Sequence, residues 1–302
     1  MRPMISVVVP AYNHERYVDR AIESALGQDV LALEVIVVDD GSSDRTGDRV
    51  VRWVAADERV RYFRQENRGA HAAINAGIHL ARAEVLAILN SDDMFLPGHL
   101  GRGLELLDNR PQALLVAGDV RFMDGEGRIL EAGVEVDWLA RARSFHAETG
   151  HLALALLHEN FVATTSNMIF RRRLWERVNG FQPLRYCHDL DFLLAAVRCG
   201  EVVLDRGREH VLYRTHEANT IKENLARIRV EIAMVTAVAL VENDFSALAR
   251  PGEHLRRFLR AKDFSPLLAF LLGRYARLRE RTAFYLSMAD EAFVRTSLEL
   301  LA

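Results

Sequence analysis

Cysteine is scarce: Cys187 and Cys199 are the only two in 302 residues. They have no metal-ligand spacing, which argues against a zinc module, and two thiols in so long a chain suit a reducing compartment. Positive charge is not in excess either. With 39 Lys and Arg against 42 Asp and Glu, the net charge is -3, so there is no global basic field for nucleic acid. No apolar run approaches the roughly 20 residues of a membrane span; IAMVTAVALV at 232–241 is too short. The N-terminal MRPMISVVVPAYN breaks at Pro10 and lacks the apolar core and small-residue cleavage site of a signal peptide, so cytoplasmic residence is expected. No G-x-G-x-x-G follows a strand-like run, and no glycine-rich phosphate loop with a basic partner stands near the first such run, which argues against a dinucleotide dehydrogenase and a nucleotidyltransferase.

What is present has the texture of an ordinary globular protein: half the residues are apolar, with 18 glycines and 7 prolines. ISVVVP (5–10) and LEVIVVD (33–39) are continuous apolar runs, as expected of strands buried on both faces. RVRYF (59–63) and EVLAILN (84–90) read as a third and fourth strand. Between them lie helical patterns: Val18, Ala21, Ile22, Ala25 and Leu26, then Val50, Val51 and Val54, then the alanine-rich GAHAAINAGIHLARA. Strands alternating with helices imply a doubly wound, Rossmann-like, mostly parallel sheet flanked by helices. Residues 100–220 are less regular, with weaker strands at ALLVAGDVRFM and EVVLD and a helix near DLDFLLAAVRCG. From about 221 the chain turns helical, and Leu225, Ile228, Ile232, Val235 and Ala239 form an a/d-like seam. The expected division is therefore residues 1–220 as one α/β domain and 221–302 as a helical C-terminal appendage.

In such sheets ligands bind beyond the carboxyl ends of the strands. There the first strand ends in PAYN, the second in DDGSSD and the fourth in NSDD. Paired carboxylates repel, so Asp39 with Asp40, and Asp92 with Asp93, are favoured where a cation or polyol offsets their charge. Hard divalent cations take such oxygen ligands, although an acidic turn capping a helix explains the same residues. The ENRGAH segment opens the alanine-rich helix behind Arg68 and Gly69, a plausible anion site. Asp189 and Asp191 open another helix, where acids are ordinary dipole partners and where a general base is also readily placed.

Together these motifs resemble the family-2 glycosyltransferases of the GT-A fold. P-x-Y-N is Pro10, Tyr12 and Asn13; V-D-D-G-S-x-D runs from Val38 to Asp44; N-x-G-x-x-x-A-x-N-x-G runs from Asn67 to Gly77. The D-x-D-D element is Asn90 to Asp93. An arginine-rich segment from Phe170 closes at Phe181, and the E-D-x-D and Y-R-x-H elements are represented at 188–191 and 213–216. The resemblance covers about residues 4–220 and implies an inverting, metal-dependent transfer from a nucleoside-diphosphate sugar, with UDP or dTDP favoured, to a glycan or lipid-linked acceptor. It implies a donor site at Pro10, Ala11, Tyr12, Asn13, Asn67, Gly69 and Asn75, with Asp39 on the nucleobase and Asp92 by the ribose or sugar. Residues 1–100 would be the nucleotide-sugar half and 101–220 the acceptor half. Mn²⁺ or Mg²⁺ would sit on Asp93, with His216 as a further metal or phosphate contact, and Asp189 would be the base with Asp191 as the alternative.

Three departures stand out. Asn90 replaces the first aspartate of D-x-D-D, Ile74 stands where many members carry arginine, and His188 replaces the glutamate before the base. Nine basic and three acidic residues between 250 and 281, interleaved with FSPLLAFLLGRYA, suggest a peripheral membrane contact or a homodimer face. A nucleotide-sugar-binding protein without transfer activity would keep Asp39 and Asp93 but need no Asp189.

Overall fold

The computed structural model describes residues 3–217, 219–245 and 265–301. The two apolar runs become β1 (Ile5–Ala11) and β2 (Leu33–Asp39), and every residue of both is buried. With β3 (Val60–Arg64) and β4 (Val85–Ile88) they form a parallel set in the order β3-β2-β1-β4. The sheet then turns mixed. β7 (Ile169–Arg171) pairs antiparallel with β4, and β6 (Ala113–Met123) antiparallel with β7. β8 (Glu201–Arg214) runs parallel to β6, and β5 (Met94–Phe95) closes the edge against β8. The expected mostly parallel, helix-flanked sheet is found.

Helices α1 (Val18–Leu26), α2 (Thr46–Ala56) and α3 (Ala70–Leu80) are the crossovers of the parallel set. α3 lies so close to β1 that a Cβ on Gly77 would stand 2.3 Å from Val8 Cγ1. The glycine of the N-x-G motif is thus a packing requirement. α2 departs from the expected inner face: Val50 is buried, but Val51 and Val54 are 53% and 40% exposed. Asp44, just ahead of α2, accepts the N–H of the helix's first residue, Thr46, at 2.9 Å. α4 (His99–Asp108) and α7 (Arg172–Arg177) complete the helices of this part.

The chain forms two compact units, and neither is a continuous stretch. One comprises residues 1–133, 162–181 and 199–216; the other comprises 134–161, 182–198 and 217–302. Segments placed by the sequence within the first domain thus group with the C-terminal helices. The second unit is helical: α5 (Val134–Thr149), α6 (Leu152–His158), most of α8 (His188–Cys199), α9 (Leu225–Glu242), α10 (Ser265–Leu278), α11 (Arg281–Leu286) and α12 (Glu291–Leu301). The α9 pattern is not a narrow seam. Leu225 is exposed, while nearly every residue from Val230 to Ala239 is buried, as in a helix enclosed by its neighbours. No described helix is long and apolar enough to cross a membrane. Of the basic stretch, Arg250, Arg256, Arg257, Arg260 and Lys262 lie outside the described residues. Arg281 is buried against Asp191, so it belongs to no basic face.

Glu34 is only 2% exposed, inside the parallel set. Its carboxylate accepts from Ser6 Oγ at 2.7 Å, Arg82 N at 2.7 Å, Arg82 Nε at 2.9 Å and Arg61 Nη1 at 3.0 Å. Burial pushes its pKa up, but these donors outweigh burial and hold it below the ordinary value. The stabilisation therefore exists above the unfolded-state pKa and is lost as pH falls through the folded one. Glu34→Gln should cost about 3 kcal/mol at pH 7, measured by urea unfolding. The difference from the wild type should shrink below about pH 4.

Candidate functional site

The loops after β1 and β2 are stitched together by short polar side chains. Asn13, at φ 52°, donates its N–H to Ser42 Oγ at 3.0 Å and accepts the Ser43 N–H on Oδ1 at 2.8 Å. The His14 N–H donates to Thr46 Oγ1 at 2.8 Å, and the Glu15 N–H to Asp44 Oδ2 at 3.0 Å. Left-handed backbone at Asn13 is tolerated because asparagine is among the few residues that adopt it readily. The turn throws His14 back across the carboxyl edge of the sheet, where its Nδ1 lies 2.7 Å from Ser91 Oγ.

There His14 meets Asp92, in the loop after β4, and His216, just past β8. One ligand atom from each of the three lies within 4.8 Å of the others. His216 Nε2 is 3.1 Å from Asp92 Oδ2, and these two side chains are 10% and 13% exposed. Burial raises the Asp92 pKa, but His14 and His216 beside it outweigh that and hold it below the usual carboxylate range. Tyr17 supports the cluster, stacking on His216 at 5.3 Å with the Arg214 guanidinium 4.7 Å from its ring centroid. Two imidazoles and one carboxylate are a set that a divalent transition metal accepts.

His14 was missed in the sequence, where only its position directly after P-x-Y-N could have singled it out. Asp93 is the residue on which the family resemblance places the metal. It is 1% exposed, and its oxygens accept from Arg214 N at 2.9 Å, Ser166 Oγ at 2.6 Å and Thr164 Oγ1 at 3.0 Å. These bonds tie its carboxylate to the end of β8 and to residues 164–166, while Asp92 lies beside the two imidazoles.

The other expected donor residues divide into braces and exposed groups. Asp39 is fully buried, accepting from Ser42 N and Tyr62 Oη, each at 2.7 Å. Asp40, read only as half of an acidic pair, accepts the Arg68 N–H at 2.9 Å and the Gly69 N–H at 2.8 Å, fixing the entry to α3. Asn75 is used within the protein as well: Oδ1 accepts from Trp175 Nε1 at 2.8 Å and Phe181 N at 2.9 Å, and Nδ2 donates to Phe181 O at 2.8 Å. Pro10 and Ala11 are buried strand residues, while Tyr12 and Asn67 are exposed and Gly69 caps α3 at φ 89°.

Asp189 and Asp191 belong to the second unit and differ sharply. Asp191 is 3% exposed, paired with Arg281 and hydrogen-bonded by Tyr285 Oη at 2.6 Å. These two partners offset its charge and hold the carboxylate in place. Asp189 has no cationic partner among the described residues. Its oxygens accept from Asn160 Nδ2 at 2.8 Å and from Leu190 N at 2.7 Å. Burial pushes its pKa up to about 6, near the operating range of a general base. His188 is pushed down to about 4 by burial, so at neutral pH it is uncharged.

The sequence profile of glycosyl transferase family 2 matches residues 6–178, more than half of the chain. The succinoglycan biosynthesis protein ExoO of Rhizobium meliloti is 31% identical over 279 residues, covering 90% of this chain and 78% of that protein. The uncharacterized glycosyltransferase EpsJ of Bacillus subtilis is 28% identical over 212 residues, and the match spans only 60% of its length. Among solved structures, S. aureus TarS in complex with UDP-GlcNAc aligns over 98% of this chain and 90% of its own, at a TM-score of 0.67 and 19% identity. The mannosyltransferase PcManGT from Pyrobaculum calidifontis, in complex with GDP-Man and Mn²⁺, aligns over 100% of this chain and 85% of its own, at a TM-score of 0.60 and 18% identity. At these identities the structural likeness is one of fold.

The environment of Asp189 has a consequence for stability. Between about pH 4 and 6 the folded chain keeps a proton there that the unfolded chain has released, so stability falls as pH rises through that window. Asp189→Asn removes the penalty. The variant should be more stable than the wild type by about 2 kcal/mol at pH 7.5, allowing for partial exposure, and equal to it below pH 4. Urea melts at the two pH values check this.

Proposed function

Since the chain belongs to glycosyl transferase family 2, we propose that it transfers a sugar from a nucleoside-diphosphate donor to a hydroxyl of a glycan or lipid-linked acceptor, with inversion. The observation that carries this reading is the His14–Asp92–His216 cluster at the carboxyl edge of the sheet. A donor diphosphate needs positive charge where it departs, and a divalent ion on these three side chains would supply it. Two imidazoles favour Mn²⁺ over Mg²⁺, which prefers an all-oxygen shell. Arg68 and Gly69, at the entry to α3, have their N–H groups taken by Asp40, so the diphosphate depends on the cation cluster. Exposed Tyr12 offers the nucleoside an aromatic surface.

In this reading Asp189 is the general base. As its carboxylate takes the proton of the acceptor hydroxyl, that oxygen bonds to the anomeric carbon and the nucleoside diphosphate leaves from the opposite face. A single displacement inverts the configuration. A base held near pKa 6 takes that proton more readily than an ordinary aspartate while still ionised at pH 7.

The test is a thermal-shift panel of UDP, dTDP, GDP and CDP, each with Mn²⁺, with Mg²⁺ and with neither. One diphosphate should raise Tm in a concentration-dependent way, more with Mn²⁺ than with Mg²⁺. Asp92→Asn should abolish the metal-dependent part. An undiminished response in Asp92→Asn would overturn the metal assignment. With the donor so identified, transfer should fall about tenfold per pH unit below about pH 6. Asp189→Asn should remove transfer while leaving the donor shift intact; near-normal turnover in that variant overturns the base assignment.

A further inference from the structure

Asn160 stands two residues beyond α6 and belongs to none of the motifs. Its Nδ2 lies 2.8 Å from Asp189 Oδ2. The other end of the amide, Oδ1, is buried and meets no donor among the described residues. A carboxylate can only accept, so the amide nitrogen must face it. The amide therefore serves no second hydrogen bond that would explain its placement: its orientation is set by Asp189 alone. With the Leu190 N–H on Oδ1 at 2.7 Å, each oxygen of Asp189 has one protein donor, and one rotamer is selected.

We propose that Asn160 is the positioning residue of the general base, holding Asp189 in one orientation and favouring its ionised form. The inference rests on the assignment of Asp189 as base, and its structural content is separable from that assignment. A donor to the charged form opposes the effect of burial. Without Asn160, the carboxyl would keep its proton to higher pH and turn more freely.

The groups that share this environment are few. Cys187 precedes α8, and burial, together with Glu231, Asp189 and Asp191, pushes its thiol pKa well up. Glu231 on α9 accepts the N–H groups of Arg185, Tyr186 and Cys187 at 2.9, 2.8 and 3.1 Å. His188 is neutral, as described. Asp191 is offset by Arg281, and Glu159, next to Asn160, accepts from Trp138 Nε1 at 2.9 Å. Among these groups none but Asn160 donates a side-chain hydrogen bond to Asp189.

The experiment needs no substrate. Protein carrying ¹³C-carboxyl aspartate is titrated by NMR from pH 4 to 8, and the Asp189 signal is identified by its loss in Asp189→Asn. In the wild type its midpoint should lie near 6. In Asn160→Ala it should move up by about one pH unit, and in Asn160→Asp, which adds a second carboxylate, further still. Asn160→Ser, which keeps a hydroxyl donor, should move it less than Asn160→Ala. Circular dichroism confirms that each variant is folded, and any folded member of the series suffices to decide. A midpoint unchanged within about 0.3 units in the folded variants overturns the proposal. If instead the midpoints move as expected but Asp189→Asn still transfers sugar, the base assignment fails while the hold of Asn160 on Asp189 stands.

Discussion

The carboxyl edge of the sheet depends on one kind of bond: an aspartate removed wholly or partly from water accepting a backbone N–H. Asp39 takes Ser42, Asp40 takes Arg68 and Gly69, Asp44 takes Glu15 and Thr46, and Asp93 takes Arg214. An ionised group removed from water is costly unless donors replace its hydration, and the loop amides need acceptors in turn. Each bond satisfies both demands; those of Asp40, of Asp44 to Glu15 and of Asp93 also tie segments distant in sequence to one another. The strands end where they do because acids are available there to organise the turns. Asp92 differs because its neighbours are imidazoles, which are exchangeable partners. Its carboxylate lies beside His14 and His216, whereas each of the others accepts at least one N–H from another residue's backbone.

That division explains what the sequence could and could not convey. The strand runs were legible because β-branched residues without polar interruption leave few alternatives to a doubly covered strand, and LEVIVVD became β2 residue for residue. The acidic edge was legible as a place. Which acid did what was not. Asp92 and Asp93 are adjacent in a turn, where no period says which way each side chain leaves, and only the third dimension shows that Asp93 meets Thr164 and Ser166. Asn75 is a similar case: its spacing to Gly77 looks like a ligand motif, yet its amide closes the turn at Phe181 from more than a hundred residues away. His14 carried no signal beyond its neighbours, because a lone histidine after a turn has no period to betray it.

Helical periodicity failed where burial was not one-sided. Val51 and Val54 face solvent on α2, since apolar residues there exceed what one face can cover. On α9 the reverse holds. The a/d-like spacing was real, but from Ala233 to Ala239 the residues between those positions are apolar or small and buried too, so that stretch is enclosed rather than paired along a stripe. The division of the chain was obscured for a related reason. Residues 134–161 and 182–198 are separated in sequence from the C-terminal helices, yet join them in one unit, and composition holds no mark of such an excursion.

The helical C-terminus, expected as an appendage, has a defined electrostatic task within its own unit. Residues two apart on a helix are separated by about 200°, so turning one face of α8 into the core buries Asp191 as it leaves Asp189 on another side. A buried carboxylate without a counter-charge would be strongly destabilising. Arg281 and Tyr285, both on α11, provide the counter-charge and the hydrogen bond. Glu231 on α9 meanwhile accepts three consecutive N–H groups just before α8 begins. α8 is therefore held at its start by one C-terminal helix and through its second acid by another. Asp191 and Glu231 anchor the helix, and Asp189, two positions away from the first, has no cationic partner among the described residues. An aspartate with a cationic partner would have a depressed pKa and be a poor base. The C-terminal helices thus offset one carboxylate of the pair, while the other keeps the raised pKa that the proposed role as general base calls for.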